Sequence, residues 1–404
     1  MLPRRKFIVY SAVRQRTSNT GLKFLPASAP RGLLVGLLLV LLSGCETIGY
    51  YRQAIGGQLA VTFARQPVAR VLADPKTPPA LAERLRASQR MLAYIENTVG
   101  LASDGRYRSY VALDRDAVVY NLVATEAFSV SAERWCYPIA GCAPYRGYFR
   151  RQAADRAAAR YQAQGFTTHV GAVPAYSTLG WFADPLLSTF VHWNDAQLIT
   201  LLAHELSHSR VWVASDVSFN EAFATFVGEQ TARNWLGRDN PELLQQQAQR
   251  QQQWQRLVHL LLQLKEHLRG QYAAPLDASA KAAATANAYA AMQRCYQDHR
   301  QRLGDGRFDA YLGRLNNATL AALATYRANV PAFAALYQES GGRWPEFFTA
   351  TEALAKLPAP ERAARLQRLR VSNQQQITQR GDDQDAEQIQ CQAFTDHGVD
   401  WHLP

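Results

Sequence analysis

The feature that most constrains this chain is an apolar stretch carrying three polar side chains at fixed spacing: Leu198-Ile199-Thr200-Leu201-Leu202-Ala203-His204-Glu205-Leu206-Ser207-His208. Its Leu and Ile residues recur at helical intervals, as on a helix with a buried face, and Asn194 or Asp195 stands where an N-cap belongs. Four residues along a helix amount to about 40° of rotation and about 6 Å of rise, so His204 and His208 project from one face, one turn apart. A buried helix cannot carry such groups unpaired, since each unsatisfied one costs about 1–3 kcal/mol. A shared metal ion satisfies them. Both imidazoles can meet one ion, and Glu205, one residue past the first, lies beside it but off the ligand line, where its carboxylate can take a proton from water.

A catalytic zinc ion typically takes three protein ligands and leaves one position to water. The next helical stretch, Ser218-Phe219-Asn220-Glu221-Ala222-Phe223-Ala224-Thr225-Phe226, sets an acid among Phe219, Ala222, Phe223 and Phe226, and an acid on an apolar face is costly unless something pairs with it. Glu221 is therefore the expected third ligand. Glu229 and Asp216 lie in less apolar surroundings and rank behind it. A metal site of this kind also needs a donor for the developing oxyanion, usually Tyr or His, and Tyr311 and Tyr326 are candidates on residue type alone.

The N-terminal 44 residues stand apart. They contain seven of the 44 basic residues (Arg4, Arg5, Lys6, Arg14, Arg16, Lys23 and Arg31) and no acid. Without them 37 basic residues face 33 acidic ones, an ordinary balance that removes the argument for a nucleic-acid partner. The basic start is followed by an apolar run, Leu33–Leu42, too short to span a bilayer comfortably. Leu42-Ser43-Gly44-Cys45 then resembles a bacterial lipobox, in which Cys45 is acylated after residues 1–44 are removed as a lipoprotein signal peptide. The region before the run is unusually long, which implies either an internal start codon or a twin-arginine signal at Arg4-Arg5-Lys6-Phe7, whose apolar run then lies far downstream. By resemblance to lipoprotein sorting signals, Glu46 after the cysteine implies the outer membrane of a Gram-negative envelope, with the chain tethered on the periplasmic side. That compartment is oxidising, so Cys136, Cys142, Cys295 and Cys391 form an even set open to two disulfides. The pair Cys136 and Cys142 is favoured because Pro138 and Gly141 permit a tight return. A zinc knuckle is the alternative, without a second Cys or His pair nearby to complete it.

The remaining pattern predicts an α+β chain, mainly helical, with a small β-sheet before the His204–His208 helix. Residues 45–106 read as an N-terminal helical segment. Residues 107–193 read as a sheet-containing subdomain, with β-branched and aromatic runs at Tyr110–Leu113, Val118–Val123, Thr167–Val170 and Ala175–Gly180, interrupted by a helix over Arg151–Gln164 that stops at Gly165. Residues 194–370 read as a helical region. In it, Pro241–Gly270 carries Leu257, Leu260, Leu261, Leu264 and Leu268 on one side as a packing helix, and a second helix covers Ala278–Leu303. Residues 371–404 are polar and read as a mobile tail.

The pairing of His204-Glu205-x-x-His208 with Asn220-Glu221-x-x-Ala224 resembles the gluzincin zinc peptidases. That resemblance implies a zincin-like fold, Zn²⁺ held by His204, His208 and Glu221, Glu205 as the catalytic base, and Asn220 supporting the third ligand. The connection Ser209–Asn220 is shorter than in the best-known gluzincins, so a tight turn must deliver Glu221. The lipobox, the stretch Gly49–Gln58, the block Trp135–Phe149 and Tyr176–Gly180 are similar to a family of bacterial lipoproteins described as predicted aminopeptidases, a likeness running from Cys45 to about Tyr337. It implies a peptide or protein substrate. The Gly-x-Met-Glu-Asn motif with which some gluzincin aminopeptidases hold the substrate amine is absent, which leaves an envelope endoprotease open as an alternative. A non-catalytic zinc-binding lipoprotein is the other alternative. It would need the ligands but not Glu205.

Overall fold

The computed structural model describes residues 49–137, 141–175, 183–239, 241–379 and 389. Cys45, the Tyr176–Gly180 run, Cys391 and most of the polar C-terminal segment lie outside these. Two units are distinguished, Met1–Tyr51 and Arg52–Pro404. Of the first only residues 49–51 are described, and they are helical.

The second unit begins with a helix, α1, over residues 52–63. The sequence reads as helical from there to Leu101, but prolines divide it. Gln66–Pro67 forms a short strand, β1, followed by α2 (Val68–Ala73) and, with prolines at its start, α3 (Pro79–Tyr94). One π-helical turn, Ile95–Val99, extends α3 and ends at Gly100, whose φ of 83° supplies the left-handed stop.

Where one small sheet was expected, the described residues hold two, plus a hairpin. In the first sheet, β2 (Ser109–Val111) pairs antiparallel with β1 and parallel with β8 (Leu186–Leu187). In the second, β3 (Val119–Thr125) lies between β6 (Arg146–Tyr148) and β7 (Thr167–Val173), antiparallel to both. Helix α4 (Arg151–Ala163) connects β6 to β7 and packs on β3, which explains why that strand is buried at nearly every position instead of alternating. The hairpin β4 (Trp135–Tyr137) and β5 (Gly141–Ala143) sets Cys136 opposite Cys142, and the two are joined by a disulfide. Cys295 is also disulfide-bonded.

The rest is helical: α5 (Asp195–Ser207), α6 (Val217–Asp239), α7 (Pro241–Ala273), α8 (Ala278–Asp298), α9 (Asp309–Leu312), α10 (Asn317–Arg327), α11 (Val330–Glu339), α12 (Trp344–Ala355) and α13 (Ala359–Gln379). The chain is thus mainly helical with small sheets. One core gathers Leu85, Leu92, Leu187, Phe190, Leu198, Leu202, Phe223, Phe333, Phe347 and Leu369, so the N-terminal helices, the sheet region and the helical region share an interior instead of forming separate cores. A second core lies along α7 and α8. There Leu257, Leu260, Leu261, Leu264 and Leu268 are fully buried, as their helical spacing predicts.

Residue 371, where a polar tail was expected to begin, lies within a helix. Helix α13 runs on to Gln379, because its Leu366 and Leu369 seat it in the first core, and Ile389 is buried in the second.

Candidate metal centre

Helix α5 starts where its sequence says it should: the Asn194 side chain accepts a hydrogen bond from Gln197 N–H at 2.9 Å. Leu198, Ile199, Leu202 and Leu206 face the core, and this fixes the rotation of the helix and hence the direction of His204 and His208. Helix α6 crosses close to α5 at Gly228. A Cβ there would lie 2.6 Å from the Thr200 carbonyl oxygen and 3.4 Å from His204 Cβ, so the absent side chain permits the approach.

The connection between the two helices is as tight as its length requires. Asn220, fully buried, spans it: its Oδ1 accepts from Val213 N–H and its Nδ2 donates to Val213 C=O, both at 2.8 Å. Asp216 accepts from Phe219 N–H at 3.1 Å through one carboxylate oxygen, capping α6, and from the Arg362 guanidinium at 2.8 Å through the other. Buried Arg106 donates to Ser209 at the start of the loop and to the carbonyls of Ser103 and Ala102. The loop is therefore anchored at its start, middle and end.

This arrangement brings His204, His208 and Glu221 together, with one potential ligand atom from each lying within 4.8 Å of the others. His204 Nε2 stands 3.3 Å and His208 Nε2 3.8 Å from Glu221 Oε2. His208 and Glu221 are buried, and His204 nearly so. Two imidazoles and a carboxylate converging on one point form the His₂Glu set that suits zinc and leaves a coordination position open, so the residues present fit the ion. The other acids weighed as third ligands are engaged elsewhere: Asp216 with Arg362, and Glu229 with Arg327 at 2.5 Å and Gln251 at 2.6 Å.

The electrostatics agree with that donor set. Burial pushes His208 down to about 4, against the opposing pull of Glu221, so its ring is neutral and free to ligate. Burial alone would raise Glu221, but the hydrogen bond from His204 and the electrostatic interaction with His208 and His204 more than offset it and hold the carboxyl below its ordinary value. Glu205 is pushed up to about 7, first by burial and then by the neighbouring carboxylates Glu221 and Asp184, with His204 opposing.

Two further groups feel the charge of this centre. Tyr326 of α10 lies in the field of Glu221 and Glu205 and is hydrogen-bonded to Tyr145; burial raises both phenols far above their ordinary value. Tyr311, the other tyrosine singled out by residue type, packs against Trp254 in the second core with ring centroids 5.9 Å apart. Tyr145, in the turn between β5 and β6, was not singled out; the only sequence signal was its place in the aromatic block Trp135–Phe149. Nor were the buried residues Asp184, whose charge helps to raise Glu205, and Tyr107, which burial and then the charges of Glu205 and Asp184 raise.

No curated protein and no solved structure matches the chain. A family model described as "Putative aminopeptidase" matches residues 49–366, a span that includes α5, α6, both tyrosines and the disulfide hairpin. With the match running over most of its length, the chain belongs to this aminopeptidase family.

Proposed function

We propose that the protein is a zinc-dependent peptidase of the gluzincin type, with a zincin-like fold, that removes residues from the N-termini of peptides or proteins. The observation that carries this reading is the convergence of His204, His208 and Glu221 beside a buried Glu205. When bound there, zinc would act as a Lewis acid, polarising the scissile carbonyl and acidifying a water. Glu205, held off the ligand line by its place on α5, would act as general base, taking a proton from a water whose oxygen adds to the scissile carbonyl carbon and passing it to the amine nitrogen as the C–N bond breaks. Tyr326, supported by Tyr145, donates a hydrogen bond to the carbonyl oxygen as charge develops on it. Burial of Glu205, His208 and Glu221 strengthens each of these interactions.

A purely structural metal site would need the ligands but no base, and would fill its fourth position with protein. Glu205 therefore favours an enzyme. The family favours exopeptidase over endopeptidase action. The test is hydrolysis of matched peptides with free and acetylated N-termini, with zinc present and after chelation. Cleavage of the free peptide alone, abolished by chelator and restored by zinc, supports the proposal. Equal cleavage of both peptides makes the protein an endopeptidase, and hydrolysis that survives chelation removes the metal from the account.

The same reading includes location: Cys45 carries acyl chains that tether the enzyme to the envelope membrane, outer rather than inner. No described helix is long and apolar enough to cross a membrane. The mass of the mature N-terminal peptide decides the point. An unmodified cysteine there refutes the tether.

A further inference from the structure

Helix α1 meets the body of the protein partly through polar groups: Gln53 accepts from Phe149 N–H at 3.0 Å and donates to Gly147 C=O at 3.4 Å, and Arg65, just past the helix, donates to Ala183 C=O at 2.8 Å. Val61 is buried in the first core, and Gly57 lies so close to the Phe149 ring that a Cβ would approach it to 2.1 Å. These contacts fix the rotation of the helix about its axis. They leave Ile55, Leu59 and Phe63 outward, 58%, 42% and 82% exposed. Successive steps of four residues align the three as one stripe about 12 Å long. Among the described residues after Tyr51, the other exposed large hydrophobics are Leu276 and Val371, each single and on other segments.

Scattered exposed apolar residues need no explanation, but an aligned stripe on a helix that is anchored through its other side does. The sequence indicates what covers it. Ile55 follows the proposed acylated Cys45 by only ten residues, so an acyl-anchored chain holds α1 at the membrane surface whatever the rest of the molecule does. Arg52, exposed on the same helix three residues before Ile55, adds positive charge suited to anionic headgroups.

We infer that α1 lies on the lipid surface through Ile55, Leu59 and Phe63, serving as a second membrane contact that orients the body of the enzyme. This rests on the proposed tether at Cys45. Acyl chains on one terminal residue hold the protein at the membrane but leave its body free to rotate. An apolar helix face embedded in the headgroup boundary fixes the angle at which the catalytic body is presented.

The experiment places photoreactive benzoylphenylalanine at position 63, at position 55 or at the exposed Arg294 of α8 in the full chain. Each protein is matured in a Gram-negative host and reconstituted in vesicles of phosphatidylethanolamine and phosphatidylglycerol. The expected result is phospholipid adducts at positions 63 and 55, at least fivefold above those at position 294. Lipid adducts no greater than at position 294 overturn the inference, as do crosslinks to a second copy of the chain or to another protein. The mass of the N-terminal peptide from the same samples reports acylation of Cys45 separately, so failure of the tether and failure of the helix contact give different results. Every substituted position is exposed, so loss of folding is not expected; unchanged far-UV circular dichroism of the three proteins confirms this.

Discussion

Asn220 carries no proposed chemistry, yet the geometry makes it the residue on which delivery of Glu221 depends. Replacing it with Ala deletes two hydrogen bonds of 2.8 Å, one to each polar group of Val213. Each is worth about 1 kcal/mol net, and a backbone group left unsatisfied costs about 1–3 kcal/mol. Val213 is half-buried, so water can replace part of the loss. The expected destabilisation of Asn220→Ala is therefore about 2–4 kcal/mol, a factor of roughly 30 to 1,000 in the folding equilibrium at about 1.4 kcal/mol per decade. The loop leads directly into the first turn of α6, so zinc affinity should also fall by about 10–100-fold, as it does when groups supporting a ligand are removed. Urea unfolding of the metal-free protein measures the first effect, and competition with a chromophoric chelator the second. Asn220→Asp retains an acceptor for Val213 N–H but faces the Val213 carbonyl with a carboxylate oxygen, and should not rescue the loss. An Ala variant within about 0.5 kcal/mol of the native protein, binding zinc equally well, would refute the clamp.

Three further outcomes follow from the packing and the charges. Gly228→Ala forces a methyl to within 2.6 Å of the Thr200 carbonyl oxygen; helix separation should cost about 1–3 kcal/mol in urea unfolding and weaken zinc binding through His204. Tyr326→Phe should lower kcat by about 10²–10³ with little change in zinc content, whereas Tyr311→Phe should leave kcat unchanged, as steady-state assays with metal analysis will show. His169, on β7, is held below the ordinary histidine value of 6.5 by burial and by the nearby Arg314 and Arg151. The unfolded chain therefore takes up that proton first, and the stability His169 contributes is lost as pH falls through 6.5. The difference between native and His169→Gln unfolding free energies, measured across that range, should shrink or reverse with acidification.

The parts of this molecule readable from sequence are those whose determinants are local. Helix α5 announces itself through its period and its Asn194 cap, and Glu221 through an acid set among phenylalanines. The leucine stripe of α7 is equally plain. What sequence did not reveal depends on pairings between distant segments. Tyr145 reaches the centre only because β6 pairs with β3 and the hairpin folds back toward the loop before α6, where Cys142 N–H donates to Ser215 at 3.2 Å. The division into two sheets rests on β8 joining β2 across 76 positions of chain, through runs of two and three residues too short for a periodic signal. The outward face of α1 is hidden for a different reason. An apolar stripe normally points inward, and only the contacts of Gln53, Gly57 and Arg65 show that this one does not.

The most direct test of the central claim is the zinc content of the purified protein, prepared without chelators, measured together with peptide hydrolysis beside His204→Ala and Glu205→Gln variants. The account predicts near-stoichiometric zinc in the native protein and in Glu205→Gln, its loss in His204→Ala, and loss of hydrolysis in both variants. Native protein without zinc, or a Glu205→Gln variant that hydrolyses peptides at the native rate, would contradict it.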